Sequence, residues 1–169
     1  MSFWKRVRGI MQKPEPPKAE KTARDLTPGD ICEVSLVTYE VVGRTEWRSR
    51  ALVWYTLRDG SQIRYLRVEQ REQLDVALYD TIDGRLDAVD EVPSEIELDG
   101  TWYYLDDHYD GIVQTQGNTP FGVSGEQHAW EYQADNHKRL RIVWHDGRFG
   151  LYEGESVLSA DLRIIRHTS

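Results

Sequence analysis

The sequence predicts an all-β, mainly antiparallel protein, and three observations predict it. From Leu26 onward apolar and polar residues alternate with period two, as half-buried strands require. Five Asp-Gly pairs (Asp59-Gly60, Asp83-Gly84, Asp99-Gly100, Asp110-Gly111 and Asp146-Gly147) punctuate the runs, several where a tight hairpin needs residues that tolerate positive φ. No long helical period occurs after residue 25. The expected architecture is two similar small β modules packed together as a sandwich or barrel-like unit, preceded by a short amphipathic N-terminal helix and a linker.

At the start, Phe3, Val7, Ile10 and Met11 fall at helical spacing with Trp4 beside them. Lys5, Arg6 and Arg8 take the remaining positions, so residues 1–12 read as a short basic amphipathic helix. KPEPPKAEK (13–21) is Pro-rich, charged and aperiodic, and reads as an extended linker. Residues 1–25 thus form a tethered segment and 26–169 the β domain. Its expected strands are TYEVV (38–42), ALVWYTL (51–57), IRYLRV (63–68), LDVALYD (74–80) and EIEL (95–98). TWYYL (101–105), HAWEYQ (128–133), LRIVWH (140–145), RFGLYE (148–153) and ADLRII (160–165) complete the set.

The order of strand character in 26–91 recurs in 92–169, which reads as a tandem duplication. Tyr39, Trp54-Tyr55, Leu66 and Val76-Ala77-Leu78 correspond to Trp102-Tyr103-Tyr104, Trp130 with Tyr132, Ile142-Val143-Trp144, and Leu162 with Ile164. The second copy is longer mainly through QTQGNTPFGVSGEQ (114–127), read as a loop.

The chain has 169 residues, 39% of them hydrophobic, enough for one domain with a core or two small fused modules. Its net charge of −8 is uneven: residues 1–25 hold seven basic and three acidic side chains, leaving 14 basic and 26 acidic for the rest. A body of that sign repels phosphate backbones, so nucleic acid is not an expected partner. Cys32 is the single cysteine, which excludes an intrachain disulfide and a cysteine-based zinc site. Its setting, ICEV, predicts a buried, inert thiol. No apolar run approaches the roughly 20 residues that span a bilayer. MSFWKRVRGIM lacks a signal peptide's apolar region and cleavage site, and Ser2 stands where myristoylation needs glycine. The expected location is cytoplasmic, peripheral on the inner face of the cell membrane.

LTPGDICEV (26–34) followed by TYEVVGRTEW (38–47) resembles the opening of a bacterial family, domain of unknown function 4178. The resemblance continues through VWYTLRDGSQIRYLRVEQ (53–70), EIELDGTWYYLDD (95–107) and HAWEYQADNHKRLRIVWHDGRFGLYEGE (128–155). ICEVSLVTYEV (31–41) departs from it by lacking an Asp-Gly turn before the Tyr strand. The resemblance implies no particular reaction and no catalytic residues. It implies an accessory protein encoded beside small membrane proteins and polyamine-synthesis enzymes.

The most interpretable functional feature is the basic start. Phe3, Trp4, Lys5, Arg6, Val7, Arg8, Ile10 and Met11 suit docking on an anionic lipid surface or a membrane-associated protein. In the body, Trp47 among Arg44, Arg48 and Arg50 reads as an exposed basic patch on an otherwise acidic surface. The remaining aromatics read as core, and the acids as a solvated surface able to receive a cationic ligand such as a polyamine. His128, His137 and His145 lie on or beside successive strands without any known ligand spacing, so no metal is expected, and no cofactor. No Gly-x-Ser-x-Gly elbow or phosphate-binding loop occurs. The leading expectation is a non-catalytic β-domain adaptor at the membrane surface. The rival is a small-ligand binder or enzyme whose pocket lies between the halves near loop 114–127, with Phe121 as its lid.

Overall fold

The structure is a computed structural model that describes residues 21–84, 89–121 and 124–166. The helix expected over 1–12, its docking residues Phe3, Trp4, Lys5, Arg6, Val7, Arg8, Ile10 and Met11, and residues 13–20 of the linker lie outside the described residues. Among those described, all regular structure is β apart from three 3-10 turns. The strands are β1 (Ile31–Val34), β2 (Val37–Trp47), β3 (Leu52–Asp59), β4 (Gln62–Gln70), β5 (Leu74–Thr81) and β6 (Glu95–Leu98). They continue with β7 (Thr101–Gly117), β8 (Gly125–Gln133), β9 (Lys138–His145), β10 (Arg148–Val157) and β11 (Leu162–Arg166).

Eight strands close into a barrel in the order β2-β3-β4-β5-β10-β9-β8-β7, with β7 returning to β2, and every pairing is antiparallel. Each half of the chain supplies four consecutive strands, and the halves meet at two seams, β2–β7 and β5–β10. Of the two packings expected, the barrel is the one found. The expectation sets Leu162 and Ile164 against Val76-Ala77-Leu78 of β5. The fourth strand of the second half is β10, whereas β11 leaves the barrel and pairs with β1.

The long strands β2 and β7 each serve two neighbours along one edge. Val37–Glu40 pairs with β1 and Gly43–Trp47 with β7. Thr101–Tyr104 pairs with β6 and Val113–Gly117 with β2. Between these stretches each strand carries a bulge, at 41/43 against β3 and at 105/107 against β8. An extra residue there bends the strand out of the barrel and toward its flap. At the β2–β7 seam Gly43 faces Gly117. A Cβ on Gly43 would overlap the backbone carbonyl of Asn118, and Gly117 stands at φ +72. Glycine at both positions lets the strands part there and the chain leave β7 toward 118–121.

The hairpin signals resolve unevenly. Asp99-Gly100 and Asp146-Gly147 form two-residue turns with both residues at positive φ, as the type I′ turn requires. Gly60 takes φ +59 in the Gly60-Ser61 turn that follows Asp59. Asp110-Gly111 is no turn: it lies inside β7. The first hairpin turns through Ser35 and Leu36 at φ 48 and 70, so it adopts the Asp-Gly geometry without the Asp-Gly residues. The expected loop 114–127 is also shorter. Residues 114–117 finish β7 and 125–127 begin β8, which leaves 118–124 as the connection.

The core forms three clusters. Val53, Tyr55 and Leu57 face one outer cluster with Cys32, Val34 and Tyr39, covered by β1 and β11. Trp130, Tyr132, Leu140 and Ile142 face another with Tyr103, covered by β6 and the chain around Val92. Alternate residues of the same strands (Leu52, Trp54, Ala77, Tyr79, Ala129, Val143 and Tyr152) point the other way and meet inside the barrel. Central strands are therefore buried on both faces, which places charged residues of those strands in the interior.

Candidate functional site

Inside the barrel, charge sits on the faces that the alternation turns inward. Arg67, from IRYLRV, is 1% exposed at the centre. Its Nε donates to Glu131 Oε1 at 3.0 Å, Nη2 to Glu69 Oε1 at 3.0 Å and Nη1 to Asp75 Oδ2 at 2.9 Å. Arg139 holds the same Asp75 through Nη1 at 2.9 Å and Nη2 at 2.7 Å. Arg50 bridges Glu69 at 3.1 Å and Asp107 at 2.6 Å, and lies 3.7 Å over the ring of Tyr109. Burial works to raise the Glu69 and Asp75 carboxyls, but the guanidiniums of Arg67, Arg71 and Arg50 around Glu69, and of Arg139 and Arg67 around Asp75, hold both below the usual range. Burial pushes the hydroxyls of Tyr79 and Tyr152 well above the phenol range, so both stay neutral.

Arg141, from LRIVWH, is the exception to this pairing. It is as buried as Arg67, at 1% exposed, yet neither Nε nor Nη1 has a hydrogen-bond partner. Its nearest ion-pair contact is Glu131 Oε1, 3.6 Å from Nε. The guanidinium is instead sandwiched among aromatic rings, 4.4 Å from Trp54 and 5.8 Å from Trp47. The indole Nε1 of Trp47 is likewise buried without a partner. An unsatisfied buried donor costs about 1–3 kcal/mol, and here three such nitrogens belong to two residues that line one void.

That void is lined by Arg141, Trp47, Trp54, Thr45, Gln127 and Tyr152 and roofed by Pro120 and Phe121, with Val143 beneath. Its volume is about 10 Å³, the room of one water molecule. Both halves of the chain contribute to it. At the roof, Phe121 O accepts from Arg148 Nη2 at 3.2 Å, and its ring lies 5.5 Å from that of His145 and 5.5 Å beneath the Arg148 guanidinium. Donors and aromatic faces line the space, with no carboxylate or imidazole among them. The arrangement suits holding an anionic group rather than moving a proton.

Trp47, expected on the surface among arginines, is fully buried and lines this void, because it shares the inward face of β2 with Thr45. Arg44 donates from Nη1 to the carbonyls of Arg24 at 2.6 Å and Leu26 at 3.0 Å, pinning the entry segment to the barrel. Arg48 is exposed on the Arg48–Arg50 turn, and Arg50 joins the interior network. The expected basic patch therefore dissolves, while Trp47 and Phe121 come together at one site. Sequence reading missed Arg141, Gln127, Thr45 and Tyr152. The available signal was Leu140-Arg141-Ile142, a cation between two apolar residues of a strand whose other face is also buried.

Cys32 is buried as expected, and burial first, then Asp30, pushes its thiol up to about 12. On the outer face, Asp110, Glu126 and His128 bring one ligand atom each within 4.8 Å of one another. His128 Nε2 lies 3.4 Å from Glu126 Oε1, and Asp110 pairs across the strands with His128. No described helix is long and apolar enough to cross a membrane.

No curated protein and no solved structure matches the chain. A protein-family model described as "Domain of unknown function (DUF4178)" matches residues 27–159, a span that runs from the segment entering β1 to the end of β10 and takes in every barrel strand. The chain belongs to that family.

Proposed function

We propose that the protein is a small-ligand-binding barrel that takes an anionic group, a carboxylate or a phosphate, onto Arg141 between its two halves. The observation that carries this reading is Arg141 itself: a fully buried guanidinium with two unpartnered nitrogens, lining, together with Trp47 and its unpartnered indole N–H, a void roofed by Phe121. Eight strands enclose an interior wide enough for packed side chains or one small ligand. Charge-assisted hydrogen bonds to an anion would satisfy donors that are otherwise left at a cost. Trp54 and Tyr152 supply flat apolar walls for the rest of the ligand. Because the closed void has room for a single water, entry requires Pro120 and Phe121 to swing outward and enlarge it; among the described residues this breaks the Phe121 contacts with Arg148, His145 and the rings below.

The experiment is a titration of the full chain with acetate, succinate and inorganic phosphate, read by tryptophan fluorescence and calorimetry, with spermidine as the cationic control. Saturable binding of one of the anions, lost in Arg141→Met and retained in Arg48→Met at an exposed arginine outside the void, supports the reading. Binding that survives Arg141→Met unchanged, or binding of spermidine alone, defeats it.

A further inference from the structure

Independently of the interior site, we infer that the outer edge of β6 is a docking site for an extended, arginine-bearing strand of a partner protein. The first observation is a repeat of register. Ile31↔Glu40 and Val34↔Val37 in the first flap hairpin recur 64 residues later as Glu95↔Tyr104 and Leu98↔Thr101 (95 minus 31, 101 minus 37). The turns match, Ser35-Leu36 against Asp99-Gly100, both residues of each at positive φ. The bulges that follow match as well, at 41/43 and 105/107. β6 is therefore built as β1 is built, on the opposite seam partner.

The second observation is what lies beyond each flap. On β1 the outer edge is filled by β11, which sets Leu162 opposite Val34, Ile164 opposite Cys32 and Arg163 opposite Glu33. Under that cover Cys32 and Val34 are fully buried, and Arg163 Nη1 lies 3.9 Å from Glu33 Oε1. No described strand pairs with the outer edge of β6. Ile96 and Leu98, at the positions of Cys32 and Val34, remain half-buried. Glu97 stands where Glu33 stands, opposite Trp102 on β7, and pairs with no cationic side chain among the described residues.

The third observation decides the chemistry of the occupant. Trp102 and Tyr104, 48% and 47% exposed, face solvent directly opposite Glu97 and Glu95. Two such rings on one hairpin, beside an edge that no described strand covers, form an apolar patch framed by carboxylates. A second copy of β6 would set glutamate against glutamate across the new ladder, so self-pairing is disfavoured. An incoming strand shaped like β11 would instead place apolar residues over Ile96 and Leu98. Its arginine would lie against Glu97 and over the Trp102 ring, combining an ion pair with a cation–π contact.

The probe is a fluorescein-labelled peptide with the chain's own sequence 159–166, SADLRIIR, titrated into the full chain and read by anisotropy and amide hydrogen exchange. The expected result is saturable binding with slowed exchange at Glu95 and Glu97. Glu97→Arg should weaken it at least about threefold, and a peptide carrying Arg163→Glu should bind Glu97→Arg better than it binds the unaltered chain. Trp102→Ala provides a second variant on an exposed position that leaves the barrel intact. The inference is overturned by no saturable binding at millimolar peptide, by indifference to both substitutions, or by protection confined to Ile31–Val34, where the peptide would merely be replacing β11.

Discussion

Arg67 and Arg141 are equally buried side chains with opposite expectations. Arg67 is hydrogen-bonded to three carboxylates, and its removal strands Glu69 and Glu131 in the barrel. Arg67→Met should therefore cost about 3–5 kcal/mol in urea denaturation. Arg141 has two unsatisfied donors and apolar neighbours, so Arg141→Met should leave stability within about 1 kcal/mol of the original or raise it. The carboxylates give a pH dependence whose sign follows from their lowered values. Their contribution is complete above the ordinary values of 4.5 for Glu69 and 3.8 for Asp75, and is lost as pH falls through the lower folded-state values. Stability measured from pH 7 downward should decline below about pH 4.5, and Glu69→Gln should flatten part of that decline.

At the scale of elements, the flaps and seams carry the predictions. Leu36 stands at φ +70 and is 88% exposed, so it has neither the backbone freedom nor the packing to justify its place in a type I′ turn. Replacing Ser35-Leu36 by Asn-Gly should stabilise the fold by about 1 kcal/mol in thermal melts. Gly43→Ala should act in the other direction, costing at least about 1–3 kcal/mol, because its methyl group would displace the Asn118 carbonyl and open the β2–β7 seam. These elements also show what a sequence reveals. Hairpins closed by Asp99-Gly100 and Asp146-Gly147 were legible because their turn chemistry and their alternating flanks agree. The far half of β7 was not, since DDHYDGIVQTQG is polar, rich in poor strand formers and mostly exposed, and strand pairing together with the inward packing of Tyr109 and Val113 holds it extended. Asp110-Gly111 misled for the same reason: a turn pair inside a strand carries the turn signal without the turn.

For the whole molecule, the all-β class was readable from periodicity, whereas closure was not, nor that β10 rather than β11 completes the barrel. A period of two says which residues share a face, and it does not say that both faces are buried. Charged residues are rarely buried unless paired, so Arg67, Glu69, Glu131 and Arg141 read as surface until the barrel closes around them. The rival expectation of a pocket between the halves near Phe121 drew on loop composition, and a void lined from both halves now stands there as the basis of the proposed function. The most direct measurement is a two-dimensional ¹H–¹⁵N spectrum of the full chain, following the Trp47 indole and Arg141 Nε–H resonances during titration with phosphate and succinate. The proposed binding predicts that both shift together and saturate with one affinity, Phe121 moving with them. Fixed Trp47 and Arg141 resonances, with shifts confined to exposed arginines, would contradict it.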